Sequence, residues 1–361
     1  MTRILTLAAL LLPAASLAYE TNDFPWNESH VTFRVLTGMP SAFKDVMEEV
    51  ESQYDANPTS HKTSVIWDDE NGWGIPNSES EVGWITNLSS VCPNAGGGCA
   101  KTWVVFDPFD AYLAEADLVF DAYQDWTTTK DKADHWNYGG DGRPFLCTAL
   151  HEMGHALGLQ HENDRYNIMG DDTTMITTND STFQCEIGAD GMAGLASMYG
   201  VQTPRIDFGV SHWRYLGAGG NGNAYSMHGR ARMLSGTNWP GLGMVYTELP
   251  KNSDGAYNIT AGTTVYAEFS LQNAGTLFAA VPVSIMLSDN ALITSLDNEL
   301  QSSVQALNAG AVTTLRLPVV IPSTWIRPEP WFIGVHADKN AMHAEARESN
   351  NRTYIALVNV Q

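Results

Sequence analysis

The stretch HEMGHALGLQH, residues 151–161, sets three histidines and a glutamate within eleven positions. On a helix His151 and His155 lie one turn apart and project from the same face. Leu146, Leu150, Met153 and Leu157 fall on another face, where they can pack into a core. Gly158 can adopt a left-handed conformation, which ends a helix and turns the chain. His161 can then swing back as a third ligand. Three neutral imidazoles on Zn²⁺ leave one position open, as catalytic rather than structural sites do. Water there becomes acidic enough to serve near neutral pH. Glu152, beside the histidine face, is placed to take its proton.

Upstream, a loop over 131–143 leads to Pro144, suited to the first turn of that helix. Short strands are expected at VTFRVL (31–36), TSVIW (63–67), VGWIT (82–86), TWVVF (102–106) and ADLVF (116–120). Between the first two, Pro40-Ser41 opens a helix. Its residues Phe43, Val46, Met47, Val50 and Tyr54 follow the spacing of one buried face. A further helix is predicted over 190–199, ended by Gly200. Such a mixture reads as an α+β domain spanning 19–200.

The first eighteen residues combine Arg3, an apolar run from Ile4 to Leu12, and Ser16-Leu17-Ala18. They read as a signal peptide (1–18) cleaved between Ala18 and Tyr19, so the chain is expected to be secreted. No stretch is long enough to predict a transmembrane helix. The 361 residues carry a formal charge of −22 without basic runs, which disfavours nucleic acid and anionic lipid as partners. Export makes disulfides the expected state of the four cysteines, for which three connectivities exist. Cys92 and Cys99 flank a flexible loop that a bridge would close, leaving Cys147 to pair with Cys185. A thiolate metal site is the competing reading, but the chain has no CxxC.

Residues 201–259, with Gly217, Gly219, Gly220 and Gly222, show no clear helix and read as a linker or sandwich-leading segment. Over 260–361, Val265, Ala267, Phe269 and Leu271 alternate with polar or half-polar neighbours. VPVSIML, TTLRLPVV, WFIGVHA and YIALVNV follow between turn-rich segments. This spacing predicts a β-sandwich.

The motif His151-Glu152-x-x-His155-x-x-Gly158-x-x-His161 resembles the metzincin zinc signature. Met169, in NIMG, is similar to the metzincin methionine turn beneath the zinc. Its short distance from His161 resembles matrixins, as do ADLVF and ADGMAGLASMYG. That resemblance, over about residues 26–200, implies a twisted mixed sheet with three main helices. It also implies that Ala116, Asp117, Leu118, Val119 and Phe120 form the edge strand that receives an extended peptide. Glu162 follows the third histidine as in astacins, but Asp171 stands two residues after Met169 where astacins carry tyrosine. No cysteine precedes Cys92, so a cysteine-switch propeptide is not expected, and a second, structural zinc site has no counterpart. The nearest description is a matrixin-like, bacterial-type metzincin. Asn273-Ala274-Gly275, residues 288–300, Ile321-Pro322, WFIGVHAD and residues 348–351 resemble the CARDB family of Ig-like domains. This implies a binding or spacer module, with a surface or polymer as its ligand.

The expectation is a secreted zinc endopeptidase acting on protein or peptide. His151, His155 and His161 are the ligands, Glu152 the general base and then acid, and Met169 a support. Two rivals are an adhesin with a vestigial zinc domain and a zinc hydrolase of a non-peptide amide such as a cell-wall bond. Intact Glu152 speaks against the first; peptides assayed beside peptidoglycan separate the second. His135, Trp136 and Tyr138 are placed to reach a cleft, although packing is the more ordinary role. His212, His228, His336 and His343 lack ligand spacing. Asp107 with Asp110, and Asp289 with Asp297, are the acidic pairs considered for Ca²⁺; such loop acids ordinarily face water, and no Ca²⁺ is assigned.

Overall fold

The structure is a computed structural model. It describes residues 19, 21, 22, 24–69, 76–86, 100–106, 112–136, 140–162, 167–170, 176–211 and 231–361. The expected signal peptide, Cys92, Cys99, Asp107, Asp110, Tyr138, Asp171, His212 and His228 lie outside the described residues.

The N-terminal half is a five-stranded mixed sheet covered by helices. Its strands are β1 (His30–Leu36), β2 (Lys62–Asp69), β3 (Ser80–Ile85), β4 (Ala100–Phe106) and β5 (Leu113–Asp121), in the order β2-β1-β3-β5-β4. All neighbours run parallel except β4, which is antiparallel to β5. Helix α1 (Lys44–Asp55) follows β1, and the anticipated stripe of Phe43, Val46, Met47, Val50 and Tyr54 is buried. The two-residue strands β6 (Trp126–Thr127) and β7 (Arg143–Pro144) pair with each other ahead of α2 (Phe145–Ala156). Pro144 caps α2 from just outside, where its missing N–H costs nothing. Beyond it come the hairpin β8 (Ile176–Asn179) and β9 (Thr182–Cys185), then α3 (Gly188–Tyr199). One core joins Phe33 and Val35 of β1 and Leu118 and Phe120 of β5 to Phe145, Leu150 and Met153 of α2.

Register corrects one expectation. Ala116–Phe120 is not an edge: Val82–Ile85 pairs with Leu118–Asp121 on one side, and β4 pairs along the other. With both rows of backbone groups engaged, this strand cannot accept a third partner. The edge is β4, and among the described residues nothing pairs with its outer side.

The C-terminal half is a sandwich of two five-stranded sheets. In one, β14 (Thr264–Asn273) is flanked by β17 (Val312–Val320) on one side. Its other side pairs with β10 (Phe208–Ser211) and β11 (Arg232–Trp239), and β12 (Gly243–Glu248) lies beyond β11. The other runs β13-β19-β18-β15-β16, from β13 (Tyr257–Ile259), β15 (Ala279–Ser288), β16 (Asn298–Leu307), β18 (Trp331–Ala337) and β19 (Arg352–Val360). Val265, Ala267, Phe269 and Leu271 point inward against Val281, Val283, Ile285 and Leu287. Strands β10 to β13 are drawn from residues 201–259, so that segment supplies structure to both sheets.

The halves touch along a polar seam. Asn179 Nδ2 donates to Ile293 O at 3.0 Å, Ile293 N donates to Asn179 Oδ1 at 2.7 Å, and Asp180 N donates to Ala291 O. Gln272 Oε1 accepts the Ala189 N–H in the first turn of α3 at 3.0 Å. Ala274 inserts into the N-terminal core.

Candidate metal centre

Helix α2 carries His151 and His155, and its end is built to return the third histidine. Gly158 has φ +95°, a conformation costly for a residue with a Cβ. Its N–H donates to His155 O and that of Leu159 to Gly154 O, which closes the helix. Two last-turn carbonyls go to distant side chains: Trp26 Nε1 donates to Ala156 O, and Tyr199 Oη to Leu157 O, each at 2.8 Å. On the other flank Tyr54 Oη donates to Leu150 O at 2.6 Å. The helix is thereby clamped from three separate segments of chain.

The three rings converge. His151 Nε2 lies 3.1 Å from both His155 Nε2 and His161 Nε2. In the same rings the Nδ1 atoms face outward, His151 toward Ile168 O at 2.7 Å and His155 toward Leu159 O at 2.8 Å. A carbonyl accepts but never donates, so each Nδ1 carries the proton and each Nε2 presents a lone pair. Lone pairs crowded in this way repel unless a cation lies between them. Two nitrogens about 2.05 Å from a tetrahedral ion stand roughly 3.3 Å apart, close to the spacing here. Burial, and then the neighbouring His151, push the His155 imidazole down to about 4, so it is neutral at physiological pH, as a ligand must be. The residues therefore fit a zinc ion.

Met169 is buried against Gly154 of α2. A side chain at Gly154 would collide with its thioether, so this position must stay small. The turn is knitted to the ligand loop: Met169 N donates to Asn167 Oδ1, Asn167 Nδ2 to Glu162 O, and Glu162 N to Met169 O. Ile168, in the same turn, supplies the carbonyl that orients His151.

Glu152 is buried, and desolvation raises its carboxyl above the usual range, opposed by the nearby histidines, Thr102 and Arg143. Thr102 Oγ1 lies 2.8 Å from Glu152 Oε2. Nothing in the local sequence flags Thr102, because its partner is fifty positions away. Cys147 is bonded to Cys185, with Cα atoms 5.2 Å apart, which ties α2 to β9.

Other candidates take structural roles. Asp117, expected to meet substrate, is wholly buried beside Glu81 and Glu115; it accepts the Glu81 N–H, and burial, with those neighbouring carboxylates, pushes it up to about 8. Ala116, Leu118, Val119 and Phe120 are equally buried. His135 packs edge-on against Phe183, while Trp136 is exposed beside Arg143. Asp289 pairs with Arg327, and Asp297 Oδ2 accepts the Thr294 N–H, so neither acid is poised for Ca²⁺. His336 is buried, and burial lowers it to about 4.

Residues 100–200 match the matrixin family model. That segment holds the histidine cluster, Glu152, Met169 and α3, and the match supports a metzincin-like domain there. Among curated proteins, macrophage metalloelastase of Oryctolagus cuniculus is 39% identical over 70 residues, 19% of this chain and 14% of that protein. Matrix metalloproteinase-16 of Homo sapiens is 31% identical over 197 residues, 50% of this chain and 28% of that protein. The chain thus spans less than a third of either relative. Among solved structures, the CARDB domain of a Pyrococcus furiosus protein, crystallised with metal ions, aligns with 36% of this chain and 87% of its own. The identity is 11% and the TM-score 0.22. Among the described residues no helix is long and apolar enough to cross a membrane.

Proposed function

We propose that the protein is a secreted zinc-dependent endopeptidase. The observation that carries this reading is the convergence of three Nε2 atoms with the buried Glu152 beside them. His151, His155 and His161 would hold the ion. When bound, zinc supplies an acidified water and an electrophile that polarises the scissile carbonyl. Glu152 takes the proton from the attacking water and delivers it to the departing amine, which leaves as a neutral group. Burial suits both roles, since a carboxyl raised by desolvation holds a transferred proton long enough to pass it on.

The peptide itself is best received by β4. Its outer edge is unpaired among the described residues, and Thr102 brings it against Glu152. An extended substrate segment adds there as a further strand, its backbone bonds holding the scissile bond over the site. The sandwich acts on targeting or stability.

The test is zinc-loaded protein assayed on casein, gelatin and a panel of peptides, with peptidoglycan alongside. Chelator-reversible cleavage of peptides is expected. Turnover of peptidoglycan with every peptide intact would overturn the endopeptidase reading.

A further inference from the structure

Glu152 is a long side chain with three rotatable bonds, and the proposed chemistry needs its carboxylate in one place. Helix geometry fixes only its Cβ. Thr102 Oγ1 lies 2.8 Å from Glu152 Oε2 and 2.9 Å from Glu152 O. A hydroxyl has one proton. Inside a helix the carbonyl already serves the N–H four residues on, while an ionised carboxylate is the stronger acceptor. The proton therefore belongs to the carboxylate. With Oε2 held, the carboxylate cannot rotate freely, and Oε1 is left for the reacting water. Glu152 is also 7% exposed, so few water molecules reach it to substitute for the lost bond.

Thr102 sits at the middle of β4, where it pairs with Leu118 of β5. Side chains alternate along a strand. Thr102 and Val104 share the face toward the core, and Val104 packs against it. The same residue belongs to the strand whose outer side is unpaired among the described residues. One residue thus joins the strand offered to substrate and the group offered to water.

We infer that Thr102 is a positioning residue whose hydroxyl aims the Glu152 carboxylate and couples it to the edge strand. The inference rests on the endopeptidase reading for its kinetic consequence, but not for its geometry.

Two conservative variants of the full-length, zinc-loaded chain test it. Thr102→Val keeps shape and removes the hydroxyl; Thr102→Ser keeps the hydroxyl. Crystal structures of both are compared with wild type, with kcat, KM and zinc content measured in parallel. In T102V the Glu152 carboxylate is expected to spread over more than one rotamer, with zinc content unchanged. Its kcat should fall roughly tenfold, the usual scale for one hydrogen bond to a charged group, while KM stays within about twofold. T102S should restore both carboxylate position and kcat. A fall in kcat with KM steady marks an interaction used in the transition state, whereas simple loosening of the strand raises KM. The inference is overturned if Glu152 stays put in T102V, if kcat is unchanged, or if only KM moves. Should T102V not fold, T102A against T102S decides on the same criteria. Should wild-type protein cleave no peptide, the endopeptidase reading fails, and the position of Glu152 in the variant structures still settles the role of Thr102.

Discussion

The helix-on-sheet half and the two-sheet half bury comparable apolar side chains but treat polar ones differently. Among the described residues the first core contains Met39, Met47, Met153, Met169 and Met192; the second contains Met233, with Met286 also buried in that half, and is otherwise largely Val, Ile, Leu, Ala and Phe. Methionine fills irregular gaps that branched side chains cannot. Around α2 such gaps arise because His151, Glu152, Glu162 and Asn167 are buried among the apolar residues, each needing a partner in a fixed direction. In the sandwich the inward-facing positions alternate by strand period, and the buried carboxylates have local partners: Glu268 between Arg232 and Arg316, Asp207 with Asn350 at the seam, and Asp338 accepting the Met342 and His343 N–H groups. Irregular packing around oriented polar groups marks the half that holds the histidine cluster; more regular apolar packing marks the sandwich.

The sharpest break of this contrast is Glu152→Gln. It removes the proton acceptor and no ligand, so activity should fall at least about a hundredfold with zinc retained. Metal content measured beside turnover checks it. Full activity in that variant would remove Glu152 from the mechanism.

Next in size is the Cys147–Cys185 bridge, with a sequence separation of 38. Closing a loop of that length is worth about 4 kcal/mol where strain is small. The Cys147→Ser, Cys185→Ser double variant should lose stability on that scale in denaturant titration. An unchanged midpoint would show that packing alone holds α2 to β9.

Ending the chain at Gly200 sharpens the division of labour. All the ligands, Glu152, Met169 and β4 remain, so turnover of short peptides should stay within roughly tenfold, a barrier change of about 1.4 kcal/mol. The melting temperature should nonetheless drop, because the Asn179–Ile293 pair, the Gln272 bond to Ala189 and the Ala274 contact are lost. A folded, zinc-loaded but inert truncation would make the sandwich part of the cleft.

The smallest effect is a pH slope at the seam. Burial, and then Glu186, push Asp207 up to about 7; burial likewise takes Glu345, which accepts the Phe208 N–H, up to about 8. Glu186 is also raised by burial, with Arg347 and Asn350 opposing. Folded values above the unfolded ones mean that the folded state holds these protons more tightly. Their contribution is therefore fully present below about pH 4 and is lost as pH rises through 7 to 8. Melting temperature between pH 5 and pH 8 should fall, and Asp207→Asn should flatten the slope. An identical slope in that variant would place the titration elsewhere.

Much of the reactive half was legible from residue spacing. The α1 stripe, the α2 ligands and the Gly158 turn are local patterns, and local patterns survive in sequence. Strand order is not local. ADLVF is apolar at every position but one, as a strand hydrogen-bonded on both sides should be, yet family likeness alone assigned it to the edge. Thr102, Trp26 and Tyr199 escaped for the same reason: each acts on α2 from a remote segment. In the sandwich, β16 reads as polar because it is an edge strand, β10 and β13 are short pieces whose partners lie far along the chain, and the β11–β12 hairpin joins the sheet through the distant β14. Residues 201–259 consequently read only as a linker or sandwich-leading segment.

The clamp on the last turn of α2 also sets an order of events. The ligand helix is complete once residue 156 has left the ribosome, but Leu157 O waits for Tyr199 and Ala156 O is closed by Trp26. One partner is made long before the helix and the other long after. The end of the ligand helix is thus held from both ends of the domain, and a chain lacking its closing helix loses the Tyr199 bond.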